Sequence, residues 1–204
     1  MFNTKAQIQE ALSRTGRHLA LADAGEYALL ICGGSALCLS GLRQRPTRDV
    51  DVLGMVKEKE VAVVVSEFLP EEILRAAELV AGDLGLPENW LNDAALEVQR
   101  LGLPSGILSR ASRHEFGPCL TVFLIGRQDQ VALKLYASID RQKGRRHFED
   151  LAAIKPTRKE MEFAIHWLLD RKTSAEFRAA ISSVADALGF RKLKTLTAKP
   201  PDQQ

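Results

Sequence analysis

The pattern of apolar and polar positions predicts that helices and strands alternate along the first part of the chain. Residues 4–23 carry apolar side chains at helical spacing among polar ones, which indicates an amphipathic helix. The continuous apolar run 27–32 is typical of a strand that is buried on both faces. A glycine turn follows, and we expect a short helix at 36–42 and then a second strand at 49–53.

The rest of the chain continues this mixture and ends in helices. Proline and two acids at 70–72 predict a helix start, and Thr-x-x-Glu capping boxes at 157–160 and 173–176 predict two more. The apolar run 119–125 predicts a further strand. The β-branched run 61–65 favours a strand, with a helix as the alternative. We also expect a helical stretch that ends near 101, a loop at 101–117 and a helix at 130–138.

Together these elements predict an α/β (α+β) protein. A small mixed sheet would be flanked by helices, with further helices at the C-terminal end. We expect residues 1–155 to form the main domain and 156–190 a helical pair. Residues 191–204 lose helical periodicity and gain prolines, so we expect a mobile tail there.

Composition narrows the class of protein without identifying a partner. The chain of 204 residues is 46% hydrophobic, which is enough to bury a core, and its formal net charge of +2 does not by itself indicate nucleic-acid binding. The three cysteines lie in apolar surroundings without the spacing of a metal site, which favours a reduced protein. No run reaches the ~18 apolar residues of a membrane span. We therefore expect a cytoplasmic protein with no membrane partner.

Two aspartates on the second predicted strand are the strongest chemical signal. Side chains alternate between the faces of a strand, so Asp49 and Asp51 project from one face while Val50 and Val52 project from the other. Two neighbouring carboxylates repel each other unless a cation lies between them. A divalent ion such as Mg²⁺ binds one or two carboxylates and completes its shell with substrate phosphates and water. Asp49 and Asp51 are therefore candidate metal ligands.

The turn before the short helix suggests which chemical group would bind next to the ion. Gly33, Gly34 and Ser35 lead directly from a strand into a helix, and glycine lets a ligand approach the backbone closely. Backbone N–H groups in such a turn are suited to phosphate oxygens. The sequence contains neither the Gly-Lys-Ser/Thr of a P-loop nor the Gly-x-Gly-x-x-Gly of a dinucleotide fold. We therefore expect a phosphate-binding turn of a different kind.

Over residues 27–53 the sequence resembles the nucleotidyltransferase superfamily typified by DNA polymerase beta. The shared pattern is a strand, Gly34-Ser35, a helix, and then Asp49-x-Asp51 on the next strand. Within the superfamily the chain is most similar to uncharacterised bacterial nucleotidyltransferase-like proteins related to the abortive-infection toxin transferases. The resemblance implies a metal-dependent transfer of a nucleoside monophosphate from a nucleoside triphosphate to a hydroxyl group.

The same resemblance implies roles for individual residues. Asp49 and Asp51 would hold Mg²⁺ on the phosphates, while Gly33, Gly34 and Ser35 would cradle the outer phosphates. Arg48 together with Lys134 would offset charge on the leaving pyrophosphate. A polar cluster also recurs in the family, and it either faces the site or caps the following helix; its members are Asn89, Asn92 and Asp93.

One departure from the family pattern concerns the third carboxylate, which commonly lies on a later strand and activates the acceptor hydroxyl. The strand predicted at 119–125 has no acidic residue. In the abortive-infection transferases a lysine on one helix and an aspartate on the next are functional, so by resemblance Lys134 would contact the triphosphate and Asp150 would replace the missing carboxylate. Alternatively, Asp150 lies in a solvated charge run and pairs with Arg146 one helical turn away.

Three hypotheses about function remain open at this stage. The first is an active nucleotidyltransferase, such as the toxin of a toxin–antitoxin pair, with an RNA or protein acceptor and an antitoxin partner. The second is a catalytically degenerate transferase fold that binds a nucleotide or a partner without turnover. The third is a structural protein in which the acidic strand and the basic residues serve only solubility.

Overall fold

The computed structural model describes residues 1–64, 68–93, 96–139 and 144–197. Contacts within the chain divide it into two compact units, residues 1–126 and 127–204. The predicted fold class is confirmed, because a mixed sheet flanked by helices precedes a set of C-terminal helices. The helix predicted at 130–138 belongs to the second unit, which therefore begins before the domain end that we expected at 155.

The described part of the first unit contains one mixed sheet of six strands. β1 lies at its centre, antiparallel to β2 on one side and parallel to β6 on the other. β3 and β4 both pair with β2, and β5 pairs with β6 at the opposite edge. The strands are β1 (Tyr27–Cys32), β2 (Val50–Lys57), β3 (Ala62–Val64), β4 (Leu91–Asn92), β5 (Ser112–Glu115) and β6 (Leu120–Leu124).

In the part of the first unit that the structure describes, four helices accompany this sheet. Thr4 caps the first of them through a complete capping box with Gln7. Gly85 ends the third in the left-handed conformation that favours glycine. The helices are α1 (Lys5–Leu21), α2 (Gly33–Leu39), α3 (Glu71–Leu84) and α4 (Leu96–Leu101).

Trp90 fixes the position of β4 beside β2. Its side chain is fully buried, and its indole N–H donates to the carbonyl of Ala77 on α3 at 2.9 Å. The ring also packs edge-on against Phe2, with centroids 5.7 Å apart. A buried indole with a satisfied N–H is a strong anchor. The short strand that follows it is consequently held against the start of β2 by the core.

The elements of the first unit that differ from the sequence prediction include β5 and α2. The loop expected at 101–117 contains a strand, β5, whose four residues are all exposed. A polar edge strand of this kind lacks the apolar alternation by which strands are recognised. Helix α2 begins at Gly33, three residues earlier than expected, and it ends at Leu39 because Gly41 turns the chain with a φ of +74°.

Helices make up the described part of the second unit, and those predicted at 130–138 and after the two capping-box sequences are confirmed. Residues 191–197, where we expected a mobile tail, form a 3-10 turn and a short helix, while 198–204 lie outside the described residues. Nowhere in the described chain is a helix both long and apolar enough to cross a bilayer. The helices are α5 (Arg127–Ser138), α6 (Gly144–Ile154), α7 (Arg158–Leu169), α8 (Ala175–Ala187) and α9 (Lys194–Thr197).

The two predicted capping boxes have different outcomes. Thr157 accepts from the N–H of Glu160, and the Glu160 carboxylate accepts from the N–H of Thr157, so the first box is confirmed. At the second, the cap is Ser174 instead of Thr173, and its hydroxyl accepts from the N–H of Phe177. The prediction was wrong by one residue because both side chains are suitable caps.

Arg127 links the end of α6 to the start of α7. Its guanidinium donates to the carbonyl oxygens of Ile154 and Lys155 at 2.8 and 3.0 Å, and to Glu160 Oε1 at 2.8 Å. Burial raises the pKa of the Glu160 carboxyl, but hydrogen bonds from Thr157 and Arg127 outweigh burial and hold the pKa below its usual value. The ionised form of Glu160 therefore stabilises the folded state.

We predict that Glu160→Gln lowers the free energy of unfolding at pH 7 by about 1 kcal/mol, since the hydrogen bonds from Arg127 and Thr157 then end on a neutral amide oxygen instead of a carboxylate. The carboxyl has a lower pKa in the folded state, so its contribution is complete above the ordinary glutamate pKa of about 4 and disappears as pH falls through the folded value. Urea unfolding between pH 7 and pH 3 measures this. Glu149→Gln, which alters an exposed pair with Arg145, is the control. A pH-independent difference for Glu160→Gln would contradict the prediction.

Candidate functional site

Three strands bring polar groups together at one end of the sheet. Cys32 at the end of β1 pairs with Asp51 on β2, and Asp51 in turn pairs with Asn92 on β4. Paired residues on neighbouring strands present their side chains on the same face. Next to this row Leu53 is inserted as a β-bulge, because Leu30 pairs with Gly54 whereas Ile31 pairs with Val52. Cys32, Asp51 and Asn92 consequently form one row across the sheet.

The Asp51 carboxylate lies directly against the backbone of Gly33. A Cβ atom added to Gly33 would be 2.3 Å from Asp51 Oδ2, which is far closer than any real contact. Gly33 also has a φ of +75°, a conformation that other residues adopt only with strain. Two independent constraints therefore require glycine at this position. The turn and the acidic strand, recognised separately in the sequence, meet at this contact.

Asp49 reaches the same turn through Thr47. The buried Thr47 hydroxyl lies 3.4 Å from both the backbone oxygen and the Oδ1 oxygen of Asp49. A Cβ atom added to Gly34 would be 2.8 Å from Thr47 Oγ1 and 3.2 Å from the Nη2 atom of Arg45. The close packing of Thr47 against Gly34 thus favours glycine here, and the Arg45 guanidinium lies next to the same residue.

The predicted alternation along the acidic strand is confirmed. Val50 and Val52 are buried, while Asp49 and Asp51 are half-buried, and Asp49 is the residue immediately before β2 begins. In the described part of the chain no group of three or more His, Cys, Asp or Glu side chains is arranged as a metal site. Two carboxylates fit an ion such as Mg²⁺, whose remaining ligands would be substrate phosphates and water.

The other predicted phosphate-binding residues lie nearby in different environments. Ser35 is fully buried, and its hydroxyl donates to the carbonyl of Cys32 at 3.4 Å. Its side chain is directed back to the strand, so only its backbone could take part in a phosphate cradle. Arg48 is exposed on the loop before Asp49. Arg45 was missed by sequence reasoning, because only its packing against Gly34 distinguishes it from the other arginines of this loop.

The third carboxylate is missing from the strand beside β1. Ile31 pairs with Leu124, and the N–H of Ile125 donates to the carbonyl of Ile31. The position next to Cys32 on that side of the row is therefore Ile125, which is buried and apolar. The strand next to β1 therefore contributes no carboxylate to this row, since residues 119–125 include no acidic residue.

Lys134 and Asp150 form a buried ion pair in the second unit. Lys134 Nζ lies 2.8 Å from Asp150 Oδ2, and their side chains are 6% and 0% exposed. The alternative that places Asp150 in a solvated charge run is therefore wrong. Removing one member of a buried pair leaves an uncompensated charge and costs about 3–5 kcal/mol. The structure brings these two predicted residues together, one from α5 and one from α6.

Gln130 precedes Lys134 by one turn of α5 and was not singled out from the sequence. It is almost fully buried, and neither polar atom of its amide has a hydrogen-bond partner in the described structure. A buried amide without partners is destabilising, so such groups are rare in folded proteins. The sequence could not identify it, because glutamine is common on exposed helix faces.

Comparison with protein-family models, with curated proteins and with solved structures found no match to this chain. The resemblance to nucleotidyltransferases therefore stays an expectation that depends on the residues quoted above.

We predict that Gly33→Ala destabilises the fold more than Gly41→Ala. Both glycines have φ near +75°, so each alanine variant carries the left-handed strain of about 1–2 kcal/mol. A Cβ on Gly41 would have no atom within 4 Å, whereas one on Gly33 would collide with Asp51. Chemical denaturation of both variants measures the difference. Equal losses of stability would show that the contact with Asp51 does not constrain position 33.

Proposed function

We propose that the chain is a metal-dependent nucleotidyltransferase that moves a nucleoside monophosphate from a nucleoside triphosphate to a hydroxyl group and releases pyrophosphate. The observation that carries the proposal is the contact between the Asp51 carboxylate and Gly33. The acidic strand and the glycine turn are two separate signals in the sequence, and in the structure they are packed into one half-exposed cluster. A structural protein has no need of this combination, because two like charges side by side are unfavourable.

Asp49 and Asp51 would hold the ion, and Thr47 would keep Asp49 in position. When bound, Mg²⁺ would neutralise charge on the triphosphate and polarise its phosphorus–oxygen bonds. Phosphoryl transfer needs mainly positioning and electrostatic stabilisation, so few additional groups are required of the protein. The seat of Asp51 against Gly33 meets that need, because the backbone of the turn limits where this carboxylate can lie.

Arginine would supply positive charge beside the same turn. Arg45 packs against Gly34 and donates from Nη1 to the carbonyl of Pro46, which holds its guanidinium in the loop. A planar guanidinium with several donors is suited to phosphate oxygens. The roles that the resemblance implies for Lys134 and Asp150 stay predictions. An RNA or protein acceptor and an antitoxin partner also stay predictions.

A binding module without turnover is the second candidate function. It is favoured by the buried Ile125 in the position beside Cys32 and by the engagement of Asp150 with Lys134. Without a carboxylate that can accept a proton from the acceptor hydroxyl, a nucleotide could bind and remain intact. The two functions differ in product formation and agree in nucleotide binding.

We predict that Mg²⁺ with a nucleoside triphosphate raises the melting temperature of the wild type, and that Asp51→Asn abolishes the increase. A ligand at 100 times its Kd stabilises the folded state by about 2.7 kcal/mol through mass action. Each of the four triphosphates is tested with and without Mg²⁺. Asp23→Asn is the matched control, because Asp23 is an exposed aspartate of the same unit outside the cluster. An increase that persists in Asp51→Asn would contradict the assignment.

Incubation of the wild type with each labelled triphosphate and whole-cell RNA then separates the two candidate functions. Transfer of label to RNA or to protein, with release of pyrophosphate, supports the transferase. Binding in the melting experiment without any transfer supports the binding module. The absence of both would leave only a structural role for the acidic strand.

We predict that Arg45→Gln weakens binding of the Mg²⁺–triphosphate complex at least tenfold, whereas Arg48→Gln changes it by less than about twofold. Loss of a charged hydrogen bond costs about 1.5–3 kcal/mol, while an exposed charge is screened by salt. Titration followed by isothermal calorimetry measures both Kd values. The two variants remove the same charge from the same loop, so each is the control for the other. A larger loss in Arg48→Gln would reverse the assignment.

A further inference from the structure

Phe2 forms an antiparallel bridge with Thr47 outside the strands of the sheet. The N–H of Phe2 donates to the carbonyl of Thr47 at 2.8 Å, and the N–H of Thr47 donates to the carbonyl of Phe2 at 2.9 Å. Two residues that exchange both backbone hydrogen bonds pair as residues of an antiparallel sheet do. The segment before α1 is thereby fastened to the loop that leads into the acidic strand.

The side chain of Phe2 reaches the same region by a second route. It is 1% exposed, and its ring packs edge-on against the buried Trp90. The carbonyl of Trp90 in turn accepts from the N–H of Val50, the first residue of β2. Phe2 is therefore connected to the chain on both sides of Asp49, to Thr47 before it and to Val50 after it.

The two candidate metal ligands are held in different ways. Asp51 lies within β2, and its carboxylate lies against the backbone of Gly33. Asp49 precedes β2 and has no pairing partner in the described sheet. Its Oδ1 oxygen lies 3.4 Å from the buried hydroxyl of Thr47. The position of the Asp49 carboxylate consequently depends on where Thr47 and Val50 are held.

We propose that Phe2 is a positioning residue for Asp49 and acts through Thr47 and Val50. This inference rests on the proposed function, in which Asp49 and Asp51 hold Mg²⁺ together. Mg²⁺ requires near-octahedral geometry with oxygen ligands at about 2.0–2.1 Å, so a small displacement removes a carboxylate from its shell. Release of the loop would therefore weaken metal binding, although Asp51 would keep its place.

Phe2→Leu and Phe116→Leu are matched variants that test this role. Both phenylalanines are buried in the same core cluster of the first unit, so each variant removes an aromatic ring from that core. Phe116 follows β5, which is separated from β2 by β1 and β6, and it serves as the control for a general loosening of the core.

Melting temperatures of both variants and the wild type are measured with each of the four triphosphates while Mg²⁺ is titrated. We expect Phe2→Leu to raise the Mg²⁺ concentration at half-maximal stabilisation at least about fivefold, because a misplaced ligand contributes little, and Phe116→Leu to change it less than about twofold. Equal shifts in the two variants would show that Phe2 is only a core residue and would overturn the proposal.

Hydrogen exchange examines the loop without any ligand. The N–H of Thr47 is bonded to the carbonyl of Phe2, so its exchange reports the opening of the bridge directly. We expect residues 45–50 to exchange at least about tenfold faster in Phe2→Leu than in Phe116→Leu, since local opening then costs less free energy. Equal exchange in the two variants would overturn the proposal. If Phe2→Leu does not fold, Phe2→Met and Phe116→Met replace the pair, because methionine fills irregular core space.

Failure of this inference can be distinguished from failure of the proposed function. A wild type that is stabilised by Mg²⁺ and a triphosphate, with loss of that effect in Asp51→Asn, supports the function. Unchanged Mg²⁺ dependence in Phe2→Leu would then overturn the role of Phe2 alone. A wild type that no Mg²⁺–triphosphate combination stabilises would overturn both.

Discussion

The contact between the Asp51 carboxylate and the Gly33 backbone is the constraint on which the candidate site depends. It arises because β1 and β2 pair antiparallel and bring Cys32 opposite Asp51, so the turn that follows β1 comes against the acidic strand. Only a residue without a side chain fits there, and only glycine adopts its positive φ readily. The buried valines on either side of Asp51 hold β2 in register, because a one-residue slip would exchange the buried and exposed faces. Core packing therefore positions the carboxylate.

The second unit contains a buried ion pair, whereas the candidate site in the first unit contains two half-buried carboxylates. Lys134 and Asp150 are removed from water and neutralise each other, and a pair of this kind is often no more stabilising than apolar residues of similar volume. Its presence on two packed helices is therefore poorly explained by stability alone. The unpartnered amide of Gln130, one turn away, adds a further unfavourable polar group to α5. Helices that were selected only for stability would be expected to replace such groups with leucine or methionine.

The sequence predicted those features whose cause is local. The strand β1, the helix cap at Thr157, and the alternation of Val50 and Asp51 follow from periodicity and side-chain chemistry over a few residues. Features that depend on how separate segments of the chain pair or pack were not predictable. The pairing of Asp51 with Asn92 requires a two-residue strand whose neighbour Trp90 is buried against distant parts of the chain, and the proximity of Arg45 to Gly34 requires the loop to fold back. The polar edge strand β5 was missed because its hydrogen bonds, and not its side chains, define it.

The row of residues across the sheet also limits the chemistry that the first unit can perform by itself. From one strand to the next the row runs from Asn92 to Asp51, Cys32 and Ile125, so one charged residue is followed by two buried and largely apolar ones. With Asp49, the row gives two carboxylates, which the proposed function uses as metal ligands, and the row itself holds no third carboxylate that could take a proton from an attacking hydroxyl. A carboxylate already bound to a cation is a poor base, because the cation stabilises its ionised form. Under the proposed function, this row and Asp49 would therefore bind the metal and the triphosphate, while the proton acceptor of the transfer reaction would come from the substrate, from water or from another part of the chain.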